Sequence, residues 1–227
     1  PRQPRRVSHA ASGRAGFYCV VMFSVIAHPV LAARTDRLRS TDTESEEFRR
    51  LLNQIGQLLV PSVTENLPTI TTVIHTPLAE TTGQELDGGT PVIVSVLRAG
   101  NGLLDGVLSV LPDADVGFIG LERDHDTLEA MEYLVKLPAL ADRHVIVVDP
   151  MLATGHSAVA ALNRIAAESP ASITLMCVVA APEGVDHLAL HHPGVRVVAA
   201  ALDEGLNEVG YILPGLGDAG DRLYGTE

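Results

Sequence analysis

The chain has 227 residues, 46% apolar and 19% charged, with 16 Lys and Arg against 28 Asp and Glu, giving a net charge of -12. That length is ample to bury a core, while its two Cys, Cys19 and Cys177, exclude a disulfide scaffold and a Cys-rich metal site. So acidic a surface repels a phosphate backbone, which argues against nucleic acid as the main partner.

Residues 1–16 carry Arg2, Arg5, Arg6 and Arg14 and no acid, and 17–27 are apolar apart from Ser24. A basic stretch before an apolar one imitates a signal peptide. The apolar run, however, is about half of the roughly 20 residues that a membrane helix needs, and Pro29 follows it. The preferred expectation is that Met22 is the true start, that 1–21 are a tag or over-extended translation, and that 22–227 form one cytoplasmic domain with no membrane partner. Without the four Arg, 12 basic and 28 acidic residues remain, a net of -16.

Residues 45–59 place Phe48, Leu51, Leu52, Ile55, Leu58 and Leu59 at helical spacing behind Glu44, Glu46 and Glu47, and Pro61 is expected to close the helix. Strands are expected at 70–75, 92–97, 116–121, 145–148, 173–180 and 195–202. Helices are expected at 103–111, 157–167 and 185–190. Apolar strands alternating with helices mean an α/β fold, a mostly parallel central sheet flanked by helices on both faces. In such folds ligands sit at the carboxyl ends of the strands, which draws attention to 98–102, 122–136, 149–157 and 210–225.

Residues 145–157, VIVVDPMLATGHS, read as an apolar strand, an acid, a small-residue loop and a helix start. Thr154, Gly155 and Ser157 suit a turn whose backbone N–H groups converge on an anion, aided by the helix N-terminus. The G-x-x-x-x-G-K-[ST] spacing of a Walker loop is absent. Asp149, at the strand's end, can accept from a sugar hydroxyl or hold a metal-bound water. An ordinary strand-turn-helix with Ser157 as a cap accounts for the same residues.

The segment DPMLATGHS resembles the phosphoribosyl-diphosphate (PRPP) loop of uracil phosphoribosyltransferases, within the type I phosphoribosyltransferase fold. VLRAGNGLLDG (96–106), RDHDTLEAMEYLVKLP (123–138), APEGV (181–185) and LNEVGYILPGLGDAGDRLYGT (206–226) resemble that family in the same order, over nearly all of 28–227. Departures are His156 where the family has a second Gly, Asn101 after LRAG where Leu is common, and Val60-Pro61-Ser62 where a Tyr-Glu pair is expected.

The resemblance implies transfer of phosphoribosyl from PRPP to uracil N1, giving UMP and diphosphate. It implies PRPP contacts from Arg98, Arg123 and Asp149, the loop Pro150, Met151, Leu152, Ala153, Thr154, Gly155, His156 and Ser157, and Asp218. Of these, Arg98, Arg123, Asp149 and Asp218 would carry catalysis. Uracil would meet Ile212, Gly217, Asp218 and Ala219. The family further implies a flexible flap after Arg123, Mg²⁺ bound mainly through PRPP with no protein metal site, a homo-oligomer of two or more copies, and GTP as an effector. An alternative is a catalytically weak PRPP- or nucleotide-binding regulator of the same fold, which His156 and the missing Tyr-Glu pair favour. Exposed ion pairs, Arg98 with Asp105 and Arg123 with Asp124 or Asp126, would explain the two arginines without any ligand.

Gly100-x-Gly102-x-x-x-Gly106 after a strand, with Glu122 ending the next, imitates a dinucleotide-binding unit. Arg98 inside the turn speaks against that reading, which also leaves 149–157 and 210–225 unexplained. His187 and His191 stand four apart with His192 adjacent, and a solvated helix face accounts for them better than a metal pair. Cys177, inside an apolar strand, reads as a small buried residue.

Overall fold

The computed structural model describes residues 22–123 and 130–226. In chain order the elements are β1 (Met22–Val25), α1 (Pro29–Arg39), α2 (Ser45–Val63), β2 (Thr69–His75), β3 (Glu80–Leu86), β4 (Val92–Leu97), α3 (Asn101–Leu108), β5 (Val116–Arg123) and β6 (Ala130–Lys136). They continue with β7 (His144–Val148), β8 (Met151–Leu152), α4 (His156–Ala166), β9 (Ser172–Ala180), α5 (Pro182–His191), β10 (Arg196–Leu202), β11 (Gly205–Leu206), β12 (Ile212–Leu213) and α6 (Ala219–Tyr224).

The main sheet runs β1-β10-β9-β7-β4-β5-β6, with β8 added alongside β9. Every pairing in it is parallel except β5 with β6. The apolar runs dictate this arrangement, because each central strand buries both of its faces. Along β4, Val92, Val94 and Val96 enter one core with α4 and α5, while Ile93 enters the other with α1, α2, α3 and α6. Val145 and Val147 against Ile146 and Val148 repeat the alternation in β7. Cys177 is fully buried in β9, as its apolar neighbours imply.

Three readings of the sequence need correction. Helix α2 does not stop before Pro61 but runs on to Val63, because Pro61 is exposed in the last turn while Val60 and Val63 are buried. The strand at 70–75 does not join the main sheet. It pairs antiparallel with β3, as a hairpin whose turn is held by the Thr76 hydroxyl, which accepts from Ala79 N–H at 3.1 Å. The charged stretch after β5 is in part a strand, β6, whereas residues 124–129, where most of the expected flap falls, lie outside the described residues.

The glycines of the dinucleotide-like run serve helix packing. A Cβ on Gly106 would lie 2.1 Å from the Asn53 carbonyl, and one on Gly102 would lie 2.5 Å from Leu52 Cδ1. Both let α3 press against α2. Among the described residues, no helix is long and apolar enough to cross a membrane.

Candidate functional site

Parallel strands end together. β4, β5, β7, β9 and β10 therefore deliver Arg98, Arg123, Asp149, Ala181 and Asp203 to one edge of the sheet, and three of the four segments singled out in the sequence, 98–102, 122–136 and 149–157, begin there. Arg123 is the last residue of β5, and its side chain lies outside the described residues.

The loop after β7 is built in two parts. Its first part is tied down: Asp149 N–H donates to Met176 O, Pro150 O accepts from Val178 and Val179, and Ala181 N–H donates to Leu152 O. Met151 and Leu152 pair with β9 as the short strand β8, and Met151 N–H is taken by Asp149 Oδ1 at 3.3 Å. The second part is different. Among the described residues, the N–H groups of Ala153, Thr154, Gly155, His156 and Ser157 donate to no protein acceptor, and they lie at the N-terminus of α4, where helix geometry leaves donors free. Five consecutive donors, 153–157, are thus left free at the turn.

Gly155 adopts φ +83°, and a Cβ there would stand 3.0 Å from Gly184 O and 3.2 Å from His187 Cβ. His156, by contrast, begins α4 with helical backbone, which is how a side chain replaces the family's second glycine without strain. Its exposed ring meets that of His187 edge-on at 4.7 Å, and His187 lies 4.4 Å from His191. Burial, then the neighbouring imidazoles of His156 and His191, lower the His187 pKa. Helix α5 itself abuts the loop, since a Cβ on Gly184 would fall 2.3 Å from Ala153 O.

Asp149 is the perturbed acid of this edge. Burial pushes its carboxyl up to about 7, only partly offset by the Met151 N–H bond. Burial, and secondarily the Asp149 carboxylate, also push the Cys177 thiol up. No group of three or more His, Cys, Asp or Glu able to hold a metal ion occurs among the described residues.

Arg98 follows β4 with an exposed side chain. It does not reach Asp105 but turns to the C-terminal segment, with Nη2 3.3 Å from Asp221 Oδ1. The phenol of Tyr224 donates to Arg98 O at 3.2 Å. Asn101, the departure after LRAG, accepts from the buried Ser95 hydroxyl at 2.9 Å. The same loop touches the end of β7, because a Cβ on Gly100 would lie 2.5 Å from Val148 O.

The Gly/Pro-rich tail is ordered by packing. Ile212, Leu216, Ala219 and Leu223 are buried, and β12 pairs with β11, whose Leu206 N–H donates to Glu183 Oε1 on α5. Asp218 caps α6, accepting from Asp221 N–H at 2.9 Å, while Gly217 is exposed at φ +76°. Gly220 lies between the two stretches, since its Cβ would be 3.2 Å from Asp218 Oδ1 and 3.6 Å from Arg98 Nη2. The first turn of α5 and Arg98 thus tie the tail to the loop edge.

Three arginine and acid positions escaped the sequence reading. Arg222 has no acidic partner among the described residues. Its guanidinium donates to the carbonyls of Leu38, Ser40, Thr43 and Leu216 and lies 4.6 Å over the Phe48 ring. Arg39 and Asp203 form a bidentate pair at 2.6 and 2.7 Å beneath Gly215. Asp203, an acid one residue past an apolar strand at its carboxyl end, carried the same positional signal as Asp149 and Arg98.

Residues 25–226 match the family model described as uracil phosphoribosyltransferase. A uracil phosphoribosyltransferase of Acidovorax ebreus (strain TPSY) is 50% identical over 204 residues, covering 89% of this chain and 98% of its own. That of Legionella pneumophila (strain Lens) is 51% identical, covering 89% and 95%. A solved structure, that of the AQ2163 protein from Aquifex aeolicus, superposes with a TM-score of 0.87 at 36% identity, over 91% of this chain and 99% of that one. With its motifs in family order along one sheet edge and half of its residues shared over nearly full length, the chain belongs to the uracil phosphoribosyltransferase family.

Proposed function

We propose that the protein transfers the phosphoribosyl group of PRPP to uracil N1, forming UMP and diphosphate. The free N–H groups of Ala153–Ser157, with the Thr154 and Ser157 hydroxyls, would hold the 5′-phosphate at the start of α4. Asp149 would accept from the ribose hydroxyls. Arg98 and Arg123, at the ends of neighbouring strands, would neutralise the diphosphate as it departs. Because the protein is acidic, attraction of so anionic a substrate must come from these local donors.

Uracil presents acceptor, donor and acceptor along one edge, which the main chain around Ile212 and Gly217-Asp218-Ala219 can match without a charged side chain. Cytosine would leave a buried group unpaired, at about 1–3 kcal/mol. The reaction builds positive charge on the sugar ring, so the chain's contribution is to orient the two substrates and stabilise the leaving group.

Mg²⁺ would enter with PRPP and supply Lewis acidity at the diphosphate. Its ligands would come mainly from the substrate's own oxygens. The segment after Arg123 would act as a flap over the site. Homo-oligomerisation is supported by the β2–β3 hairpin, whose Val73 and Leu78 are 57% and 96% exposed. GTP as an effector, and a cytoplasmic location, follow from the family alone.

The observation that carries the reading is the shared edge of the donor loop and the tail, joined through Gly184, Glu183 and Arg98. Incubation of the protein with labelled uracil, PRPP and Mg²⁺ tests it: UMP and diphosphate should appear in equal amounts. Tight PRPP binding with no UMP would favour a PRPP-binding regulator instead, the reading that His156 supports.

A further inference from the structure

We infer that Arg39 and Asp203 are positioning residues for the uracil subsite, holding the main chain that reads the base. The inference rests on the proposed reaction and extends it to residues outside the expected contacts.

Gly215 lies midway along the segment assigned to uracil, which runs from Ile212 to Ala219. It turns the chain at φ +62°, so tightly that a Cβ would lie 2.1 Å from Ile212 O. Both of its main-chain groups are gripped. Its N–H donates to Asp203 Oδ2 at 2.9 Å, and its carbonyl accepts from Arg39 Nη1 at 2.6 Å. The two side chains close the ring, with Arg39 Nη1 and Nη2 on Asp203 Oδ2 and Oδ1.

The anchor beneath this ring is rigid. Asp203 directly follows β10, donates its own N–H to Ala180 O at 2.8 Å, and has a side chain only 4% exposed. Arg39 is the last residue of α1, and its side chain is 18% exposed. Glu204 N–H donates to Leu213 O at 2.9 Å, fixing the chain on the other side of Pro214. A base read by main-chain groups is discriminated only as well as those groups are held, because misplacement by a fraction of a bond length forfeits a hydrogen bond. An ion pair so poorly hydrated, with every oxygen and two of the guanidinium nitrogens engaged, makes a stiff clamp, and its geometry depends on bidentate Arg.

The test measures UMP formation with uracil and PRPP varied separately, together with the thermal midpoint, for wild type, Arg39→Gln, Arg39→Lys and Asp203→Asn. Arg39→Gln should raise the uracil KM about tenfold while the PRPP KM stays within about twofold. Asp203→Asn keeps an acceptor for Gly215 N–H but weakens the pair, so it should raise the uracil KM less. Arg39→Lys should recover part of the loss. Equilibrium dialysis of uracil, with product-free protein and diphosphate present, should follow the same order. A lowered melting point with the uracil KM unchanged, or both KM values rising together, would reduce the pair to a stability staple and overturn the inference. A wild-type protein that makes no UMP would remove the proposed reaction and this role together, whereas a wild-type protein that turns over with insensitive variants removes the role alone.

Discussion

At the scale of single residues, Gly155 and Asp149 have opposite reasons for being where they are. Gly155 is a geometric necessity: its φ of +83° disfavours any side chain, and Gly184 O lies 3.0 Å from where a Cβ would go. Gly155→Val should therefore weaken PRPP binding by roughly 100-fold or more, about 2.7 kcal/mol, as read by calorimetric titration. Unchanged affinity would show that the phosphate is held elsewhere. Asp149 is a chemical cost. Its carboxyl moves from 3.8 when unfolded to about 7 when folded. Between those values the folded protein holds a proton that the unfolded chain has released, so this residue's stabilising contribution is complete below pH 3.8 and is lost as pH rises to about 7. Asp149→Asn should therefore melt higher than wild type at pH 8, by an amount on the order of 2–4 kcal/mol that shrinks toward pH 5, while UMP formation falls. A pH-independent difference in melting would contradict the assigned cause.

Among the elements, α6 shows how a short segment is held by a half-buried cation, Arg222. Six residues cannot sustain a helix unaided. Arg222 supplies the missing stability by gathering carbonyls from the end of α1, the loop after it and the tail. Burial lowers its pKa, and no acid among the described residues pairs with it to offset that. Replacing it with Met would leave several carbonyls without a donor. Arg222→Met should cost about 2–3 kcal/mol and open the C-terminus to limited proteolysis ahead of global unfolding. Equal resistance to protease in both proteins would refute this. The capping carboxylate of Asp218 belongs to the same element, so its presence in the tail has a structural explanation alongside the chemical one.

The molecule as a whole was legible in the sequence where burial is two-sided. β4, β7, β9 and β10 are continuous apolar runs because both faces meet helices, and continuous runs survive without knowledge of their partners. β3 (ETTGQEL) and β6 (AMEYLVK) lie at or beyond the sheet's margin, so solvent removes the apolar pattern that would reveal them. Helix α1 buries only Leu31, Thr35 and Leu38, too few for a strong periodic signal. The donor loop was readable because its turn chemistry is local. The pairing of Arg39 with Asp203 was not, because 164 residues separate them and only the folded chain brings them together. The hairpin belongs to this scale too. An isolated two-stranded ribbon is marginally stable in water, and this one exposes Ile70, Val73, Ile74 and Leu78. Val73→Glu should lower the mass seen in sedimentation toward that of one chain. An unchanged mass, or a wild-type protein that sediments as a monomer, would exclude the hairpin from assembly.

Strand β1 joins the sheet in the same direction as β10, with Met22 level with Arg196 and Val25 level with Ala199. Met22 accordingly stands at the end of the sheet opposite Asp203 and the donor loop. Because Met22 is exposed, a dye or tether on a cysteine put in its place would sit at the far pole of the sheet, and protein immobilised through it should bind and release small molecules as freely as in solution.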